Sequence, residues 1–465
     1  MSRRKIWSLG TILAAALMIA GFVAGTRGGY VHMESAAFLQ IYNDRSRPVW
    51  EIVYDPLKTD WNHYQARELS YLVDWVDARF IYFCASRGRA HFCSISAMAI
   101  ILLCVMIQQY FLERDFPKLP PYLAALFSLA FVAAPSSREF VFFRSAKPLT
   151  ALAATVICFA SWRIFRRRDS EKAGTKTWIL LGTALFLAVL ADRQGAFLSA
   201  CFTCICGAVL VAAAFRPVRE YLCIGDNAMR KLRIAAFLGG GAVLFGAVYN
   251  LHLAPALIRA FNGYDPSFRY QNIGGGGLLN FANGGLFMLD NLGFFLIRTY
   301  DTPAILGGVL LLAAWIRFWC ARVRREPRQA PAALLTLGCL AAMLACANMM
   351  SYRHELMLRN DVLHGSYFLP MLAILVFLAA LTAECADSRI ANRAIAGLFA
   401  LSLVAAVLEP YIPHRPFDDH QAFFKETTPL VRKAMNDPSV DADTLLLPYS
   451  SLKLVEHFRE TTGKR

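Results

Sequence analysis

Residues 43–80 read NDRSRPVWEIVYDPLKTDWNHYQARELSYLVDWVDARF, and two patterns in them decide how the rest of the chain is read. The first is acidic. Asp44, Glu51, Asp55, Asp60, Glu68, Asp74 and Asp77 crowd into a segment that directly follows the first long apolar run, while the other long segments are nearly free of acids. The second is helical. From Asp60 onward Leu69, Leu72, Val73, Val76 and Phe80 recur at three and four residues, with Arg67, Ser70, Asp74 and Asp77 on another face. That spacing predicts an amphipathic helix lying along a bilayer surface rather than crossing it. Arg67, Asp74 and Asp77 are expected on its solvated face or in helix-stabilising pairs as well as at a site. Carboxylates gathered at one water-exposed face point to chemistry there.

The rest of the chain supplies the bilayer. With 465 residues, 57% hydrophobic and 17% charged, and a mean hydropathy of +0.42, it has several stretches of membrane-spanning length and reads as an all-α polytopic membrane protein. The net charge of +15 does not indicate nucleic acid, because Lys and Arg cluster between apolar segments as a topology signal. Most cysteines, among them Cys104, Cys158, Cys201, Cys339 and Cys346, fall inside apolar runs, where a thiol behaves as a small hydrophobe.

Residues 6–25 form an expected uncleaved first helix with a cytoplasmic amino terminus. About eleven transmembrane helices follow from the apolar segments, and the basic clusters Arg166 to Arg168, Arg216 to Arg233 and Arg322 to Arg328 then fall on one side, the cytoplasmic one. A transmembrane domain over 1–408 is expected, with a first extracytoplasmic loop at 26–91 and a long one at 254–301. The tail, 409–465, lies outside as a small α/β segment: helices at 421–435 and 452–460 and a strand at 444–447. It is too small to hold a large core and is expected to dock on the outer loops. The absence of Asn-x-Ser/Thr favours a bacterial inner membrane over an endoplasmic reticulum.

Ionisable groups mark where function is expected. Placing Asp or Lys at mid-bilayer costs roughly 2.5 to 3.5 kcal/mol, and the helix centres contain essentially none. They sit instead at the outer ends: the first loop, then Arg138, Glu139, Arg144 and Lys147, then Asp192 and Arg193, then Arg353, His354, Glu355, Arg359, Asp361 and His364. A coupled transporter more often buries such groups halfway across. A carboxylate can take a proton from an acceptor hydroxyl, and guanidinium or ammonium groups can hold a phosphate.

This layout resembles the GT-C superfamily of membrane glycosyltransferases: an amino-terminal helix, an acidic first outer loop leading into a surface helix, short alternating loops and an outer carboxy-terminal region. The segment TDWNHYQARELSYLVDW, residues 59–75, is similar to the acid-aromatic, then Arg-Leu, pattern of the first loop in O-antigen-modifying glucosyltransferases of that superfamily. It departs from the commoner paired-acid form, since Thr59 precedes Asp60 and no second acid follows. The resemblance implies transfer of a sugar from a polyprenyl-phosphate donor to a glycan, lipid or protein acceptor at the outer face, with inversion. Asp60 matches the base, with Asp44 or Asp55 next. Arg144, Lys147, Arg193, Arg359 and His364 are the candidates for holding the phosphate, and Arg67 and Asp192 for lining the substrate site. No nucleotide is needed at the outer face, and the acidic loop leaves room for a divalent metal cofactor without a ligand set to name.

Simpler roles compete for the same residues. Asp60 can cap the helix that starts at Trp61. Arg144 and Lys147 can snorkel, Asp192 can pair locally with Arg193 to close a turn, and His364 can be merely interfacial. A flippase for lipid-linked saccharide and a non-catalytic membrane scaffold are the alternative functions.

Overall fold

The computed structural model describes residues 3–31, 33–54, 67–141, 143, 146–166, 174–222, 224–264, 278–297, 302–348, 368–386, 389–408 and 417–463. Among them seven helices are long and apolar enough to cross a membrane. They include α1 (Arg3–Gly25), α5 (Ile95–Asp115), the body of α7 (Ala146–Arg166) and α9 (Arg193–Ala214). The shorter apolar helices α6 (Pro121–Ala133), α8 (Thr175–Ala191), α16 (Leu369–Cys385) and α17 (Arg389–Leu408) fill the remaining apolar stretches.

Local chemistry sets the helix ends. Ser94 caps α5 by accepting the Ala97 amide at 3.1 Å, and Pro121 occupies the first turn of α6, where its missing N–H costs nothing. Every residue of α16 is buried. A helix apolar all round belongs inside the bundle, and α16 packs against α6, α7 and α15 (Ala330–Asn348). Glu384 near its end accepts the amides of Lys118 at 2.9 Å and Leu119 at 3.1 Å, which ties α16 to the α5–α6 turn. Arg4 donates to the carbonyls of Glu113 at 3.1 Å and Leu119 at 3.2 Å in the same turn, and Arg163 of α7 pairs with Asp115 at 2.8 Å. One end of the bundle is therefore basic and tightly tied.

The opposite end carries a head built from distant parts of the chain. Helices α2 (Met33–Asn43), α3 (Val49–Tyr54) and α4 (Glu68–Ser86) meet α18 (Phe417–Asn436) and α19 (Tyr449–Thr462) of the tail. Phe38, Leu39, Tyr42, Phe92, Phe143, Val431, Met435, Leu454 and Phe458 form one buried apolar cluster. Polar links cross it: the Val31 amide donates to Thr428 Oγ1 at 2.9 Å, and Tyr82 Oη lies 3.0 Å from His457 Nδ1.

Three expectations change. In the tail no strand forms over 444–447; a 3-10 turn, Ala442–Leu445, stands there instead. Asp441 organises it, accepting the Asp443 amide at 3.1 Å on its side chain and the Thr444 hydroxyl at 2.7 Å on its carbonyl. Leu446 then turns with a φ of 49° ahead of Pro448, which leads into α19. In α4 Asp74 and Asp77, expected on a solvated face, are buried, as is Glu68, whereas Leu72, Val76, Phe80 and Phe83 are exposed. Asp77 accepts Ser94 Oγ at 2.5 Å and the Ser96 amide at 3.0 Å, so it anchors the start of α5. Finally, the long loop over 254–301 holds two helices, α12 (Ala254–Asn262) and α13 (Leu278–Ile297). The latter buries Asp290 and lies so close to α14 (Thr302–Arg325) that a Cβ on Gly293 would collide with the Ala304 carbonyl.

Candidate functional site

Where α4 meets the tops of α7, α8 and α9, the turn Asp192–Arg193 brings a carboxylate to two cations. Asp192 stands at the N-cap of α9 but its side chain makes no capping bond. It reaches across instead, with Oδ1 3.0 Å from Arg67 Nε and Oδ2 in contact with Lys147 Nζ. Lys147 also donates to Gln194 Oε1 at 2.9 Å, and Gln194 Nε2 donates to the Cys346 carbonyl of α15 at 3.1 Å. Four helices thus hold one ionic cluster. Ser70 fixes α4 there by donating to the Ala191 carbonyl at 2.5 Å, and Gly195 lets α9 turn tightly, because a Cβ would collide with the Ala188 carbonyl.

Burial gives the cluster its chemistry. The side chains of Arg67, Lys147 and Asp192 are 14%, 8% and 1% exposed, so both cations meet the Asp192 carboxylate largely out of water. Cations held largely out of water meet an anionic group with little screening. Lys147 accordingly does not snorkel, and the Asp192 carboxylate bridges to α4 and α7 across the bundle. Arg193 sits beside it, half-buried, at the first position of α9.

Sequence reasoning missed Glu68 as a site residue. It follows Arg67, is buried, and neither carboxylate oxygen finds a well-formed hydrogen bond among the described residues. It faces the phenol of Tyr249, which begins a π-turn, Tyr249–Leu253, between α11 (Asp226–Val248) and α12. Burial pushes its pKa up to about 8, against its own backbone amide and Tyr249, which pull it down. At neutral pH Glu68 is therefore mostly protonated. Its only sequence signal was its place beside Arg67 at the head of the amphipathic helix.

Asp44 has a local task. It accepts the Ser46 amide at 2.9 Å and the Ser46 hydroxyl at 2.6 Å, an Asx turn. Partial burial alone would raise its pKa, but these bonds, with Arg47 and His457 nearby, bring it below the ordinary value. Among the described residues no contact joins it to Arg67, Lys147 or Asp192. The other sequence candidates, Asp55, Asp60, Arg144, Arg359 and His364, lie outside the described residues. Among the described residues no group of three or more His, Cys, Asp or Glu could hold a metal ion.

A helical integral membrane protein with a buried, cation-rich cluster at one end of its bundle is the class these features define. No family model matches the chain, and no curated protein matches it. Among solved structures the chain is similar to the crystal structure of ArnT from Cupriavidus metallidurans bound to undecaprenyl phosphate, at 14% identity and a TM-score of 0.49, over 98% of this chain and 76% of that one.

Proposed function

We propose that the protein is a GT-C-type glycosyltransferase that moves a sugar from a polyprenyl-phosphate donor to a glycan, lipid or protein acceptor at the extracytoplasmic face of a bacterial inner membrane. The observation that carries the reading is the pair of cations, Arg67 and Lys147, that meet on the carboxylate of Asp192 largely out of water. A lipid-linked phosphate is an anion that guanidinium and ammonium groups hold well, and it arrives from the bilayer beside the helix tops. Arg144, Arg193, Arg359 and His364 would complete the phosphate site.

In the reaction the acceptor hydroxyl attacks the anomeric carbon while Asp60 takes its proton, with Asp55 and Asp44 the alternative bases. The bond from the anomeric carbon to the phosphate oxygen breaks in the same displacement, and configuration inverts. Arg67 and Lys147 stabilise the charge that grows on the departing phosphate.

The test is transfer of labelled sugar from a panel of synthetic polyprenyl-phosphate donors by the full-length protein in nanodiscs. Transfer that falls at least a hundredfold in Asp60→Asn and in Lys147→Gln, both correctly inserted, is the expected result (about 2.7 kcal/mol or more of transition-state stabilisation). Undiminished transfer by Asp60→Asn removes Asp60 as the base. Transbilayer flux of the lipid-linked sugar with no transfer to any acceptor overturns the reading.

A further inference from the structure

A second site lies at the other end of α9. Its 22 residues at about 1.5 Å each put that end roughly 30 Å from the cation cluster. Here α9 passes through the short helix α10 (Arg216–Tyr221) into α11, and a cavity of about 520 Å³ opens among Leu210, Ala214, Arg216, Arg219, Met229 and Arg233. The helices are in close contact further along, where a Cβ on Gly239 would collide with Thr203 Oγ1, so the cavity is the gap left as they separate toward the basic end.

The charges in it are only partly answered. Arg216 pairs with Glu220 at 2.7 Å, but these side chains are 88% and 64% exposed, and an ion pair in water is worth little. Arg219 contacts Asp226, whose side chain is 97% exposed. Arg233 makes no ion pair among the described residues. Met229, Arg233 and Phe237 follow one another at four-residue spacing on one face of α11, and Phe237 is 80% exposed. Val211 and Phe215, on the α9 side, are 67% and 63% exposed. Guanidinium groups at the helix ends with bare apolar side chains running away from them match a molecule with an anionic head and a hydrocarbon body. The cavity between α14 and α15 offers no such match: it is lined by Trp315, Trp319 and other apolar groups with one arginine, Arg324.

We propose that the α9–α10–α11 cavity binds the headgroup of an anionic phospholipid, with Arg216, Arg219 and Arg233 on its phosphate and the acyl chains along Val211, Phe215 and Phe237. The site is separate from the sugar-transfer reading and stands without it. Native mass spectrometry of the full-length protein, offered equal phosphatidylglycerol and phosphatidylcholine, tests it. Wild type is expected to retain phosphatidylglycerol in preference, and Arg233→Glu combined with Arg219→Ala to lose that preference, by about fivefold for each charge removed. Arg322→Ala with Arg324→Ala, at the end of α14 and outside the cavity lining, is expected to keep it. Because Arg233 makes no ion pair among the described residues, Arg233→Glu alone serves where the double variant does not fold. Equal retention of the two lipids by wild type, an unchanged preference in Arg233→Glu, or displacement of the lipid by millimolar inorganic phosphate overturns the proposal.

Discussion

Asp192 sets the charge balance of the cluster, and its removal should cost more than the loss of one contact. With Asp192→Asn, Arg67 and Lys147 keep their charges and lose the carboxylate on which they meet, a change of about 3 to 5 kcal/mol. Thermal unfolding in detergent should show a large fall in Tm. Pairing Asp192→Asn with Lys147→Met should recover part of the loss, whereas independent sites would simply add. Glu68 makes a pH-dependent prediction. The folded chain holds its proton up to about 8, whereas the unfolded chain releases it near 4.5. Between those values the folded state binds more protons, so the stability this residue contributes is fully present below the window and falls as pH rises through it, by at most about 1.4 kcal/mol per pH unit. Glu68→Gln should flatten the Tm profile between those pH values and stabilise the protein at its upper end. A profile as steep as wild type would show that Glu68 is not the titrating group. Lys147 and Asp192 were legible as candidates because charges at the ends of apolar runs stand out. Their contact was not legible, since 45 residues separate them and only packing of α7 against α8 and α9 brings them together.

Helix α4 shows what periodicity can and cannot say. The repeat of Leu69, Leu72, Val76 and Phe80 gives two faces, but not which one turns inward. In water the apolar face is buried, and here Leu72, Val76, Phe80 and Phe83 are outside while Asp74 and Asp77 are within. That inversion suits a helix whose outer surroundings are lipid headgroups and upper acyl chains. Phe80→Trp should therefore add fluorescence that brominated lipids quench; added fluorescence insensitive to them would place this face in water. The tail strand misled for a related reason. Thr444 to Leu447 has the apolar run of a short strand, but Asp441 and Pro448 on either side supply turn chemistry, and turn chemistry prevails over four residues. Apolar runs of about twenty residues were the most legible feature, because the bilayer leaves the backbone few options but a helix.

At the scale of the molecule, the head is where sequence-distant parts become one unit. Phe458 of the tail is buried against Tyr82, with ring centroids 5.4 Å apart. Phe458→Ala should cost about 3 to 5 kcal/mol, and the loss should be local, seen as faster hydrogen exchange in both α4 and α19 while the spanning helices keep their protection. Exchange that rises in α19 alone would show that the tail and the first loop do not stabilise each other. Docking of the tail was expected from its small size; the depth of its burial was not, because no local pattern records a partner 375 residues away in sequence.

The reading as a whole rests on the claim that buried positive charge at the helix tops waits for a lipid phosphate. Titration of a short-chain polyprenyl phosphate into the purified protein, followed by calorimetry for wild type and Lys147→Gln at equal folded fraction, tests that claim most directly. The account expects the Kd of Lys147→Gln to be at least about tenfold weaker, the loss of about 1.4 kcal/mol from one charge-assisted contact. Equal affinity in the two proteins, or no binding to wild type, would contradict it.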